Sequence, residues 1–321
     1  MARRALSTAS IGWSSSITFA TLGTAVTTLV LVPGLNVLFT VLLGADLAAN
    51  DTVRIGCATA LIATLSSVAA GIVARVATDR WIGVFEYVCT ARPVDAGYWL
   101  GAAAVPALLA SVTGLSNVGI VWLLSLAAPS TGEASGLLLG AIALMPVAVL
   151  GGVCLGIFAA GLGLLASVTG LSNVGIVWLL SLTAPSTGAV SGLLLGALEL
   201  MPVAVLGGVC LGIFAAGLGL YLSDPYTGSN FLAIILPVSA GVIVPVSTYP
   251  AWLAWLCSWV PGSRLVQALD ASGGIASSTT PDIFLLLAAD TALGMLYAAI
   301  GLGLTYLAAR RIRAGARASL L

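Results

Sequence analysis

The chain has 321 residues, 60% of them hydrophobic and only 7% charged, with a formal net charge of zero. A soluble domain carries roughly 25% charged residues, so this composition describes an integral membrane protein of several spans and gives no basic surface for nucleic acid. All 11 basic residues are Arg, with no Lys and no His, which excludes a P-loop lysine, a Schiff-base lysine and a histidine general base or metal ligand.

Only helices and closed barrels cross a bilayer. The apolar runs here are long and continuous, without the alternation of barrel strands, so the expected fold class is all-α, a polytopic helical membrane protein. No catalytic residue, bound cofactor or metal is expected in this chain. The five cysteines, Cys57, Cys89, Cys154, Cys210 and Cys257, have no metal or redox spacing and read as apolar packing.

Arg3 and Arg4 open a short N-terminal arm. Residues 17–43 form the first apolar run, long enough to span since about 20 residues suffice. A polar turn with Asp46 and Asp51 leads to a second span over 55–76, closing on Arg75. Residues 79–95, DRWIGVFEYVCTARPVD, carry five charges between two apolar runs. Trp81, Ile82, Phe85, Val88 and Cys89 fall on one stripe of a 3.6-residue period, with Asp79, Gly83, Glu86 and Thr90 opposite. This pattern suits an amphipathic helix lying along a membrane face or under a partner. Thr78 or Asp79 would cap its start, and Arg92, which precedes Pro93, would end it. A solvated loop between two spans fits the same residues.

From residue 111 the chain repeats. Residues 111–166 and 167–222 align without a gap and are identical at 49 of 56 positions, the mark of a tandem duplication more than of a solenoid. Each unit reads as two spans around Ala-Pro-Ser-Thr-Gly, at 128–132 and 184–188. Two crossings need roughly 40 residues, so the period is long enough. The first helix of the second copy, 167–184, is short and polar enough to be tilted or re-entrant. Small residues recur four apart at Gly136/Gly140, Gly152/Gly156, Gly192/Gly196 and Gly208/Gly212, a spacing that lets helix backbones approach in lipid. Pro146 and Pro202 are expected to kink their helices. Glu199 falls mid-span, where an acid costs ~2.5–3.5 kcal/mol on insertion scales and marks a possible intramembrane polar site; its counterpart in the first copy is Ala143.

After a polar turn at 223–229 comes a span over 230–246. Residues 247–264, with Pro250, Trp252, Trp255, Trp259 and Pro261, have the texture of an external interfacial or re-entrant segment. Asp290 lies near the start of the last span, 283–309, in the headgroup zone. That span ends on Arg310, Arg311, Arg313 and Arg317. The count is eight spans. With an even number, nine of the 11 Arg fall on one side, in the N-terminal arm, residues 75–92 and the C-terminal tail. The positive-inside rule makes that side cytoplasmic, with both termini there.

Gly83-Val84-Phe85-Glu86-Tyr87, followed by Thr90 and Pro93, resembles the cytoplasmic coupling-helix motif of type-2 ABC transporter permeases. Ser239-Ala240-Gly241-Val242-Ile243-Val244-Pro245, then Tyr249-Pro250-Ala251-Trp252-Leu253 and Pro261, resembles the same family's signature before its last span. The resemblance covers the chain except one copy of the repeat. Two departures stand out: Ala91-Arg92 separates Thr90 from Pro93, and a six-span permease core would be extended to eight by the duplicated hairpin.

The resemblance implies the membrane subunit of an ATP-driven exporter in the plasma membrane, paired with a second permease subunit as a homodimer or heterodimer. ATP and Mg would be bound by ATP-binding cassette subunits on separate chains. Trp81, Gly83, Phe85, Glu86, Thr90 and Pro93 would form the coupling helix, with Glu86 near the ATPase contact. The nearly uncharged span walls suit an apolar or amphiphilic substrate. Two other readings compete: an ion- or proton-coupled carrier using Glu199 as its coupling acid, and a non-transporting membrane scaffold.

Overall fold

The computed structural model describes residues 2–14, 31–46, 52–91, 94–127, 188–272 and 283–314, with Thr24 and Thr27. Among these residues there is no strand. The helices are α1 (Ala2–Ser14), α2 (Val32–Asp46), α3 (Thr52–Trp81), α4 (Val84–Ala91), α5 (Ala96–Ala127), α6 (Gly188–Gly219), α7 (Thr227–Ser239), α8 (Ala251–Cys257), α9 (Ser263–Ser272) and α10 (Ile283–Arg313), with a 3-10 turn at Val246–Thr248.

Among the described residues four helices are long and apolar enough to cross a membrane: Val53–Trp81, Ala96–Trp122, Gly192–Gly219 and Ile283–Arg313. These four stand against the eight spans counted from sequence. The joints and inner halves of the two repeats, 128–187, fall outside the described residues. Helix α7 has only 13 residues, about 20 Å, short of the ~30 Å hydrocarbon core.

The spans contain hydroxyls that would be costly in hydrocarbon. The helices absorb them locally: Thr59 donates to the Ile55 carbonyl at 2.7 Å, Thr64 to Ala60 at 2.7 Å, Ser111 to Ala107 at 2.8 Å and Thr305 to Gly301 at 2.9 Å. Each of these four hydroxyls is thereby satisfied inside its own helix, the condition for sitting in lipid.

Helix α3 is the centre of the bundle, packing on α5 and α6 along most of its length and also touching α2, α4, α7 and α9. It runs antiparallel to α5, with Gly56 against Val121 and Gly71 against Pro106. It runs parallel to α6, where the four-residue glycine spacing brings backbones together. A side-chain carbon on Gly208 would lie 2.5 Å from the Leu65 carbonyl oxygen, and one on Gly212 would lie 3.0 Å from the Ala69 Cα. Gly114 of α5 sits where a third helix arrives, since a carbon there would fall 2.8 Å from the Met201 sulfur of α6. The buried apolar residues form two clusters. One surrounds Leu61, Leu65, Val118, Leu193, Met201 and Leu269; the other, at the α4 end, gathers Ile72, Val76, Phe85, Tyr98, Trp99 and Ala309.

Helices α5 and α6 come from different copies of the repeat, the first half of one and the second half of the other. They touch each other and both pack on α3, so together they supply one whole hairpin. Deleting 132–187 removes one period, rejoins Thr131 to Gly188 and restores Ala-Pro-Ser-Thr-Gly. The shortened chain is expected to insert and to unfold within about 1 kcal/mol of the full one, because every contact among the described helices survives. Unfolding of both purified chains in detergent measures this; a shortened chain that fails to insert would contradict it.

Candidate functional site

The 79–95 segment is built differently from one continuous amphipathic helix. Helix α3 runs on through Trp81. Ile82 N–H still bonds the Thr78 carbonyl at 3.1 Å, and Gly83 N–H turns back to Arg80 at 3.2 Å. Gly83 then adopts φ +74, a left-handed conformation that glycine enters without steric cost, and α4 starts afresh at Val84. Counting 3.6 residues straight through Gly83 therefore misassigns the faces. Trp81 and Ile82 are exposed, at 63% and 67%, whereas Phe85 and Cys89 are buried, at 1% and 0%. Phe85, expected at the partner contact, faces inward and packs edge-on against Tyr98, with centroids 6.3 Å apart.

Asp79 does not cap a helix start. It is buried late in α3, where it pairs with Arg75 at 3.2 Å and accepts a hydrogen bond from the Tyr98 hydroxyl at 3.0 Å. This polar knot fixes α3 to the start of α5, directly above the inward face of α4. Thr78 donates to its own helix at Ala74. At the far end, α4 stops at Ala91; Pro93 lies outside the described residues. Glu86 is half-buried, and Thr90 is exposed with its hydroxyl donating to the Tyr87 carbonyl at 3.0 Å.

Burial pushes the Cys89 thiol up to about 11, with Arg313 drawing it back and Glu86 pushing it further up. The thiol therefore stays protonated at neutral pH and serves as packing. Cys57, Cys210 and Cys257 are likewise buried and, among the described residues, form no disulfide.

Four further contacts converge on this end of the bundle. Arg80 donates from Nη1 to the carbonyls of Gly219 at 2.8 Å and Leu222 at 3.0 Å, so a cation closes the negative C-terminus of α6. Trp81 meets Tyr226 edge-on, centroids 5.8 Å apart. Arg311, in the last turn of α10, lies 5.2 Å over the Tyr221 ring. Helix α4 itself packs on α10. Arg75, Arg80, Arg310, Arg311 and Arg313 are thus gathered at one end, and the turn before α4 and the outward side of α4 present Ile82, Val84 and Tyr87, the last 75% exposed. An exposed apolar surface hung on a buried anchor can bind a protein partner and pass a displacement to α3, α5 and α10.

Glu199 is not part of this arrangement. It lies on the exposed side of α6 with Pro202 and Leu206, seven residues, or about 10 Å, inside the start of that span at Gly192.

Two polar pairs at the other end went unread in the sequence. Arg54 forms a two-pronged ion pair with Asp270, at 2.6 and 2.8 Å, and donates to the carbonyls of Val242 and Gly241. Asp290, 4% exposed, accepts the Gly262 N–H with both oxygens, at 3.0 and 3.1 Å. Gly262, at φ +100, lies against Ile62 and Leu65, while Asp270 at the other end of α9 meets Arg54. Helix α9 thus runs antiparallel to α3, and the turn before it dips about 15 Å below the start of α3. The one available signal was Pro261-Gly262, a turn, together with a carboxylate placed inside an apolar run. No family model, curated protein or solved structure matches this chain.

Proposed function

We propose that the chain is the membrane-spanning permease subunit of an ATP-driven exporter, set in the plasma membrane with both termini cytoplasmic and paired with a second permease subunit. ATP and Mg are handled by a separate ATP-binding cassette subunit, in keeping with a chain that has no Lys and no His. One observation carries this reading: a short helix, α4, joins two spans, is held from within by Phe85 and Cys89, and turns Val84 and Tyr87 outward beside Trp81 and Ile82. The left-handed Gly83 sets that short helix off from α3 and gives it a direction of its own.

The contact surface is therefore Trp81, Ile82, Val84 and Tyr87, with Glu86 at its edge. Phe85 acts as the anchor that passes movement into the bundle. Trp81→Ala with Tyr87→Ala is expected to weaken co-purification with an ATP-binding cassette subunit of the same genome by at least about 30-fold, the effect of losing an aromatic hot spot, with membrane insertion unchanged. Phe85→Ala acts differently, lowering the stability of the chain by about 3–4 kcal/mol. Unaltered co-purification by the Trp81/Tyr87 variant would remove the basis for the assignment.

A further inference from the structure

Helix α10 leaves most of its surface uncovered; only 11% of its most apolar stretch is buried. Leu296, Ile300, Gly303, Leu307 and Arg310 are spaced four, three, four and three residues apart, so they lie in line along one face, and all five are exposed. A side-chain carbon on Gly303 would meet nothing within 4 Å, which leaves a shallow notch between Ile300 and Leu307. The strip ends at Arg310.

Arg311 stands beside it, its guanidinium stacked over Tyr221, whose own hydroxyl donates to the Leu304 carbonyl at 3.0 Å. Arg313 points elsewhere, donating to Ala309 at 3.3 Å close to Cys89. Three acids of this end are engaged elsewhere: Asp79 with Arg75 and Tyr98, Asp95 with the Tyr98 N–H, and Asp224 with the Tyr226 N–H and the Thr227 hydroxyl; Glu86, on α4, forms no ion pair with Arg310 or Arg311. Among the described residues neither Arg310 nor Arg311 has an ion-pair partner. Two uncompensated guanidiniums, one pre-oriented by stacking, therefore sit where a spanning helix leaves the hydrocarbon.

We propose that this strip binds an anionic phospholipid, with its phosphate between Arg310 and Arg311 and an acyl chain along Leu307, Gly303 and Ile300. Charge complementarity selects the headgroup, since guanidinium groups match phosphate oxygens with paired N–H donors. The length selects a lipid over free phosphate. From Ile300 to Arg310 the helix rises about 15 Å, half of the ~30 Å hydrocarbon core, so a headgroup at Arg310 puts its chain along the strip. A phosphate ion would ignore Gly303.

The test uses the purified full chain in phosphatidylcholine vesicles with and without phosphatidylglycerol, reading the lipid retained by native mass spectrometry. Wild type is expected to retain phosphatidylglycerol selectively. Arg310→Gln and Arg311→Gln are each expected to weaken retention about fivefold, and together about 30-fold, from the contribution of each basic residue near an anionic surface. Arg310→Lys with Arg311→Lys keeps the charge but not the paired donors and restores only part of the retention, and Gly303→Trp, which fills the notch on an exposed face, reduces it without any change in melting temperature. Retention unchanged in the double Gln variant overturns the proposal. So does inorganic phosphate displacing the lipid while Gly303→Trp has no effect. If the double Gln variant keeps phosphatidylglycerol but loses an ATP-binding cassette subunit, the arginines belong to a protein contact and the lipid site is refuted.

Discussion

Asp270→Ala is expected to lower the stability of the purified chain by about 3 kcal/mol, because it removes the carboxylate that holds the buried Arg54 guanidinium with both oxygens. Arg54 has a side chain only 5% exposed and is held by both Asp270 oxygens. Its remaining donors reach the Gly241 and Val242 carbonyls, which accept hydrogen bonds but cannot neutralise the charge. Removing one partner of a buried pair costs ~3–5 kcal/mol. The low end applies here since Asp270 retains 18% exposure, which lets water reach the site. Arg54 lies at the start of α3, Asp270 near the end of α9, and the two carbonyls in the turn after α7, so the loss loosens three elements together. Denaturant unfolding of Asp270→Ala, Arg54→Ala and the double variant gives a cycle in which the double is less destabilised than the sum by at least about 1 kcal/mol. Strict additivity would mean that the two side chains do not meet.

Gly301→Val is expected to cost about 3 kcal/mol and to separate α10 from α6. A carbon added at Gly301 would fall 2.6 Å from the Ile213 carbonyl oxygen and 2.6 Å from the Phe214 Cα; one at Gly217 would fall 2.5 Å from the Gly301 carbonyl oxygen. Both obstacles are backbone, so no rotamer change relieves them. Overpacking in a core costs ~1–3 kcal/mol, and the upper figure applies when the helices themselves must move apart. In lipid this close approach is a main source of helix association. A cross-link reports it directly. A Gly294 side-chain carbon would lie 3.4 Å from the Cys210 Cβ, at the short edge of disulfide geometry, ~3.5–4.5 Å. Gly294→Cys is therefore expected to cross-link to Cys210 on mild oxidation, and adding Gly301→Val to abolish the cross-link. A cross-link that persists would show that the helices tolerate the bulk.

Much of the architecture was open to reading before any coordinates. Helical class follows from uninterrupted apolar runs, and the glycines four apart at Gly208 and Gly212 lie at the α3–α6 contact. The wet segment after α3 stood out because its charges interrupt an otherwise apolar chain. Its faces were misjudged through a single residue, since one left-handed glycine resets the phase of everything after it. That glycine moved Phe85 from surface to anchor and left Trp81 outside.

Composition and local period by themselves determined that this chain is helical and membrane-embedded, with no lysine or histidine among its residues. Both are properties of neighbouring residues, and they survive whatever the helices do next. The tertiary structure alone decided which faces meet. Within a span nearly every side is apolar, so hydrophobic contrast cannot orient it. Orientation falls instead to backbone contacts such as Gly217 on Gly301 and to polar pairs such as Arg54–Asp270 and Asp290–Gly262. The residues of the first pair are 216 positions apart, and no spacing rule joins residues that only packing brings together.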